Sequence, residues 1–277
     1  MKTIQTYFSL IALLLAFFFS HSLYAAEDEF IFATAPTHSP DETNKMYTPL
    51  VKYLSKKTGK KITLSIPQSF SQYSAKMQRG DYDIIFDGPH LADWRITRIK
   101  HRPIVRFPGK IQVVLAVKED SKLTNLKELE YGKKACAFFP PNLLTMTFLS
   151  HYPNPARQPA IIRVQGFNNL IKCLKNGKGD VAVIRNKLWN KAKKTGASKG
   201  LKIMTSFPKS VPERTFTVGP KISTDLETTI TKLLLNEEGI KASALILQRF
   251  KKKNFIQADV SEYKGLSSLV STIWGYD

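Results

Sequence analysis

The apolar runs FIFAT (30–34), KITLSI (61–66) and YDIIF (82–86) are each too short for a helix, and the stretches between them have a different period. Over 41–57, Met46, Leu50, Tyr53 and Leu54 recur at i, i+4, i+7 and i+8, and over 69–79, Phe70, Tyr73 and Met77 recur at i, i+3 and i+7. This spacing predicts helices with one buried face. Strand, helix and strand at this interval require crossover connections, and hence a parallel sheet covered by helices.

The plan then repeats. After a predicted helix near 90–99 comes the long apolar strand IQVVLAVKED, starting at Ile111, followed by KACAFF (134–139), a helix over 142–151, AIIRV (160–164), a helix over 167–176 and DVAVI (180–184). Gly177 and Gly179 of KNGKGD fit the cap that closes a helix before the next strand. SFPKSVPERTFTVGP then places three prolines around a new strand, RTFTV, and three helical segments follow. A tail made mainly of helices has no sheet of its own and must pack on one already built. The expected fold is therefore α/β in two lobes, each a mostly parallel sheet flanked by helices. Lobe I comprises 26–110 and 214–277, and lobe II, 111–213, is inserted in it. Two segments, near 108–112 and 208–215, form the hinge.

The first 25 residues, MKTIQTYFSLIALLLAFFFSHSLYA, have a basic start, an uncharged run over 11–19 and a small residue at Ala25. They read as a secretory signal peptide, since the apolar stretch is shorter than the roughly 20 residues a membrane span needs, and they direct the chain to the periplasm. Cys136 and Cys173 then meet an oxidising compartment. Cys136 lies at the start of a strand, and Cys173 in the last turns of the helix that crosses back over the sheet. A crossover helix runs antiparallel to its strands, so the two fall at one edge of the sheet, and a disulfide between them is expected. An apolar fraction of 43% suffices for a sizeable core. The formal charge of +20 attracts anionic partners. It does not imply nucleic acid, since KKTGKK (56–61) and KKK (251–253) read most simply as solvated helix ends.

In an open parallel sheet, ligands sit beyond the carboxyl ends of the strands. DYDIIFDGPH (81–90) ends a buried strand on Asp87, Gly88, Pro89 and His90, residues suited to turning the chain and meeting a solute. A plain strand-to-helix turn is the alternative.

The segments FATAPTHSPDETNKMYTPLVKYLSKKTGKKITLSI, MQRGDYDIIFDGPHLADW and VVLAVKEDSKLTNLKELEYGKKACAF, with weaker continuation through LIKCLKNGKGDVAVI and VPERTFTVGPKI, carry a resemblance. In order and spacing they resemble the PhnD-like substrate-binding proteins of phosphate, phosphite and phosphonate ABC importers, which have a type 2 periplasmic-binding fold. The resemblance implies that a small anionic solute, an oxyanion or a carboxylate, is clamped between the lobes and passed unchanged to an inner-membrane ABC permease. It implies a monomer without metal or organic cofactor. It places Thr37, His38, Ser39 and Tyr47 at the cleft, with the turn of Asp87, Gly88 and His90, and leaves open whether His90 or Trp94 fills the place of a family tyrosine.

Lobe II departs from the family pattern. Where the family has Ser, Thr and Gly, this chain reads FFPPNLLTMTFL, leaving Asn142 and Thr145 as donors; QGFNNL offers Asn168 and Asn169; and Arg185 stands where the family often has an acid. These changes argue against an aminoalkyl phosphonate. Arg185 would suit a planar anion, or else is an ordinary surface charge. Two other functions share the fold, a periplasmic receptor presenting its closed form to a membrane signalling protein and an exported enzyme. His38, Asp87, His90 and Asp93 are the residues an enzyme would use, yet no H-E-x-x-H, G-x-S-x-G or Cys-x-x-Cys spacing supports one.

Overall fold

The computed structural model describes residues 29–271, 273 and 276. The segment 1–25, read above as an export signal, lies outside them. The chain begins β1 (Glu29–Thr34), α1 (Pro40–Thr58), β2 (Lys61–Ser65), α2 (Phe70–Gln78), β3 (Ile84–Asp87), α3 (Pro89–Arg98), β4 (Arg102–Arg106) and β5 (Lys110–Ile111). It continues through β6 (Val113–Lys118), β7 (Lys134–Ala137), α4 (Leu143–Leu149), β8 (Ala160–Arg163), α5 (Phe167–Lys175), β9 (Val181–Arg185), α6 (Asn186–Lys194) and β10 (Leu201–Ser206). It returns through β11 (Val211–Pro212), β12 (Thr215–Val218), α7 (Thr224–Leu235), α8 (Glu237–Ala242), α9 (Ala244–Phe250) and β13 (Ile256–Gln257).

Local chemistry sets the helix ends. Ser39 and Glu42 form a reciprocal capping box at the start of α1, Pro40 occupies its first turn, and Gly59 ends it at φ 65°. Asp41 and Glu42 sit at the amino end and Lys56 and Lys57 at the carboxyl end, each matching the helix dipole. The lysines of KKTGKK thus have a local role in ending the helix.

The strands form a six-stranded sheet, β13-β4-β12-β3-β1-β2, a five-stranded sheet, β10-β6-β9-β7-β8, and a two-stranded link, β11-β5. The crossover units give parallel trios, β2-β1-β3 and β8-β7-β9. Both sheets are mixed beyond those trios, for a topological reason. β6 and β12 each follow a strand of the link, and each runs against its parallel neighbour: Val113 opens β6 beside Arg185, the last residue of β9, and Thr215 opens β12 beside Asp87, the last residue of β3. The link therefore lies at the carboxyl ends of both parallel trios, and those two edges are turned toward each other.

Alternation along each strand feeds two cores per sheet. In the first sheet Phe32, Ile84, Phe86 and Phe216 pack with Leu50 and Leu54 of α1, while Ala33 and Ile85 pack with Tyr73 and Met77 of α2. In the second, Leu115, Ala135 and Val183 pack with Phe148, while Ala116, Cys136 and Ala182 pack with Leu170 and Leu174. The end of the chain adds a strap. Leu266, 2% exposed, joins the core of the second sheet, whereas Val270 and Tyr276 join that of the first. Ser267 N donates to Asp93 Oδ2 at 2.7 Å. Two covalent crossings and one packed strap thus connect the sheets.

Cys136 and Cys173 form a disulfide with Cα atoms 6.1 Å apart, as the antiparallel run of β7 and α5 implies. Gly177 ends α5 at φ 69°. Gly179 has a different reason from capping: a Cβ there would lie 2.7 Å from Cys136 Sγ, so only glycine leaves room for the bridge.

The bridge closes a sequence separation of 37 residues. The chain-entropy relation then gives about 3–4 kcal/mol of stabilisation. Unfolding in urea with and without reductant should show a loss of that order; coincident curves for a protein whose thiols have been shown to be reduced would contradict it.

Candidate functional site

The site is built on the end of β3. Ile84 and Phe86 face the α1 side of the sheet, so by alternation Asp87 shares the face of Ile85, under α2 and α3. Its carboxylate is fully buried and takes Arg95 of α3 in a two-pronged bond, with Nη1 at 2.8 Å and Nη2 at 2.7 Å. The Tyr73 hydroxyl donates to the same carboxylate. Of the remaining Arg95 donors, Nε and Nη2 reach Thr217 Oγ1 of β12, both at 3.1 Å, and Nη1 reaches Met77 Sδ of α2 at 3.2 Å. Thr217 Oγ1, already accepting from a group that only donates, has its own proton for His101 Nδ1 at 3.2 Å. His101 is accordingly neutral: burial, then the charges of Arg95 and Arg102, push it down to about 3. Asp87, expected among the ligand contacts, therefore has its acceptors occupied inside lobe I, where it anchors the turn that follows.

That turn carries Gly88 and His90. Gly88 is the N-cap of α3 and Pro89 its first residue. A Cβ on Gly88 would lie 2.7 Å from His90 Cε1 and 2.9 Å from Nδ1, so the glycine makes space for the imidazole. His90 Nε2 lies 2.8 Å from Pro141 O, a contact from the first sheet's loops to the second's. A carbonyl only accepts, so Nε2 carries the proton and Nδ1, buried without a partner, is an acceptor. Burial lowers the His90 pKa, against the Pro141 bond and the charge of Asp87. Trp94 instead turns inward, with its indole N–H on Tyr276 O at 3.2 Å. Of the two residues left open above, His90 is the one that meets the facing lobe.

The loop after β1 packs beside this turn. Thr34 Oγ1 donates to Phe86 O at 2.7 Å and lies 3.5 Å from the Tyr47 hydroxyl, whose pKa burial raises. Ser39 is engaged in the α1 capping box. His38 Nδ1 is 3.3 Å from Arg249 Nη2 and its ring meets Phe250 edge-on. Burial, then Arg249 and Arg214, push His38 down to about 4. Thr37 is exposed and accepts from Arg214 Nη2 at 3.2 Å.

On the second lobe most of the candidate polar groups already have partners. Asn142 Oδ1 caps α4 through Leu144 N, and Thr145 Oγ1 donates to Phe138 O at 2.6 Å. Asn168 and Asn169 are both exposed at the start of α5, and Asn169 Nδ2 donates to Gln165 O at 2.8 Å. Phe139 is 59% exposed, with Arg163 over its ring. Arg185 is paired with the buried Glu213, which also receives Lys252 Nζ at 2.6 Å. Its charge is thereby balanced by an internal acid at the β11–β12 junction, a partner the strand-end position alone does not disclose. Thr34, Glu213 and Arg214 join these groups through the fold and stand in no motif. The adjacent charges of PERT at the mouth of an apolar strand were the available signal for the last two. Among the described residues no cluster of His, Cys, Asp or Glu could hold a metal ion.

The family profile described as ABC transporter, phosphonate, periplasmic substrate-binding protein matches residues 32–263. No curated protein matches the sequence. Among solved structures, XAC2383 from Xanthomonas citri bound to ATP superposes with a TM-score of 0.69 at 16% identity, over 87% of this chain and 96% of its own. PhnD1 from Prochlorococcus marinus in complex with methylphosphonate gives 0.63 at 15% identity, over 87% and 97%. A binding-protein component of an ABC phosphonate transporter from Pseudomonas aeruginosa gives 0.60 at 16%, over 88% and 85%. At these identities the structural likeness is one of fold, the two-lobe periplasmic-binding architecture.

Two outcomes are expected of the buried network. Asp87→Asn leaves the Arg95 cation unpaired and should cost about 3–5 kcal/mol in urea unfolding, with Asp87→Asn/Arg95→Met less destabilised than the single change; a single variant as stable as the parent would contradict the anchoring role. The folded pKa of His101, about 3, lies below the unfolded value, 6.5, so the unfolded state binds the extra proton between them. The contribution of His101 is full above the unfolded value and is lost as pH falls toward the folded one, by at most about 1.4 kcal/mol per unit. Stability measured over that range should fall less steeply in His101→Gln; an equal slope would contradict it.

Proposed function

Because this chain belongs to the family of periplasmic substrate-binding proteins of ABC phosphonate transporters, we propose that it captures a small phosphonate-type anion between its two lobes and delivers it unchanged to an inner-membrane permease. The observation that carries this reading is the topology of the link. Because β6 and β12 start beside the carboxyl ends of β9 and β3, the loops where such sheets bind ligands stand opposite one another, and His90 already touches Pro141 across the gap.

In this reading the lobes are 26–110 with 214–277 and 111–213, and the paired strands β5 and β11 are the crossings about which they move. One wall of the cleft would be the loop with Thr37 and His38, beside the turn with Gly88 and His90. The other would be the 139–142 turn and the start of α5 with Asn168. Closure would remove water from the anion, strengthening each hydrogen bond to it. The Arg185–Glu213–Lys252 cluster would brace the crossing. The family is one of transport components, which favours delivery to a permease over presentation to a sensor and offers no support for catalysis. An export signal in 1–25 accords with a periplasmic family. Among the described residues no helix is long and apolar enough to cross a membrane.

Thermal unfolding of the mature protein with methylphosphonate, inorganic phosphate and acetate tests the reading. A ligand at 100 times its Kd adds about 2.7 kcal/mol, so at least one of the two phosphorus oxyanions should raise the melting temperature, in a concentration-dependent manner and more than acetate at equal ionic strength. Melting curves unmoved by every one of these anions at millimolar concentration would contradict it.

A further inference from the structure

Buried and half-buried arginines in this chain come with acids. Among the described residues Arg95 pairs with Asp87, Arg102 with Glu227, Arg106 with Glu262 and Arg185 with Glu213, as withdrawing a cation from water requires. Arg214 is half-buried and has no such partner among the described residues. Its Nη1 makes long contacts to Thr34 Oγ1 at 3.5 Å and Phe86 O at 3.4 Å, and its Nη2 reaches Thr37 Oγ1 at 3.2 Å. The guanidinium otherwise lies over the rings of Phe250, at 4.9 Å, and Phe86, at 5.8 Å. All these groups are neutral. They hold the planar fork in place without balancing its charge.

The backbone fixes where this happens. Arg214 directly precedes Thr215, which pairs with Asp87 at the end of β3, and its carbonyl accepts from Phe107 N at 3.0 Å. The guanidinium is therefore at the carboxyl edge of the first sheet, beside both ligand loops. Its positive charge is among the causes that lower the pKa of both His38 and His90. With His38 Nδ1 facing the Arg249 donor, the proton of the neutral ring sits on Nε2, which is buried with no partner. Across the cleft, Asn142 and Thr145 have their side-chain oxygens engaged within their own lobe, and the neighbouring Phe139 is apolar.

We infer that Arg214 is the residue that binds the anionic group of the solute, its fork and the Thr37 hydroxyl gripping a compact tetrahedral oxyanion such as a phosphonate from lobe I. This rests on the reading that the cleft holds an anion. A guanidinium matches two oxygens of such a group with parallel N–H donors, and an unbalanced cation in a partly dry site gains most from an incoming anion. The solute would be held chiefly by a side-chain charge on lobe I, with lobe II closing over it.

Calorimetric titration with methylphosphonate and inorganic phosphate decides the matter, using the mature protein, Arg214→Gln, Arg214→Lys and, as an exposed control, Arg98→Gln. Loss of a charge-assisted hydrogen bond predicts that Arg214→Gln weakens the better-bound anion by about 10- to 100-fold. Arg214→Lys, which keeps the charge and loses the fork, should fall between it and the parent, and Arg98→Gln should bind as the parent does. Circular dichroism melts of all variants establish that they are folded. If the parent binds and folded Arg214→Gln binds equally well, the inference is overturned while the transport reading stands. If the parent itself binds neither anion, the anion reading falls and the inference with it.

Discussion

The Asp87–Arg95 ion pair is the contact on which the geometry of the cleft depends. Neither side chain has any exposure, and together they join four elements: β3 through Asp87, α3 through Arg95, α2 through Tyr73 and β12 through Thr217. A buried pair of this kind adds little net stability compared with an apolar filling, but it tolerates few alternative arrangements. Here it fixes where β3 stops and how α3 leaves it. The turn between them is therefore held so that Gly88 can admit the His90 ring and His90 can reach Pro141. Because Thr217 belongs to the strand that enters from the other lobe, the same network also sets the first residues after the crossing, including Arg214.

Charge is handled differently at three places along that edge. At Asp87 it is neutralised inside the lobe. At the crossing, Glu213 is shared by Arg185 from β9 and Lys252 from the segment after α9, a compact cluster that ties β9 to the segment between α9 and β13. At Arg214 it is left without an acid among the described residues. A protein with a formal charge of +20 has cations to spare on its surface, and most of those are solvated and screened. The one that matters for a small anion is the one whose neighbours are rings, hydroxyls and a carbonyl, because there the water that would otherwise solvate it is partly excluded.

Much of the fold was legible because periodicity survives burial. The strand–helix alternation, the two-lobe plan and the Cys136–Cys173 bond all follow from which residues repeat and in which direction a crossover helix must run. β4 was not legible: RPIVR carries a proline and flanking arginines and reads as a loop, yet β12 and β13 pair with it on both sides. β10 was missed because LKIMTS is an edge strand that is mostly half-buried, with no clean alternation. The site was read less well, for a related reason. Residue types show what a side chain can do, whereas its orientation follows from register. Asp87 shares a face with Ile85, which would have pointed it at the α2 side, and Arg185 and Arg214 look alike in sequence although, among the described residues, only the former has a carboxylate within reach.

The central claim is that two sheets with opposed carboxyl edges close on an anion. The most direct measurement is the distance between spin labels on exposed positions of the two lobes, Lys45 on α1 and Lys172 on α5, recorded without and with saturating methylphosphonate. The account predicts a broad distribution that shortens and narrows when the anion is added. An identical distribution in both conditions, in samples where calorimetry shows the anion bound, would contradict it.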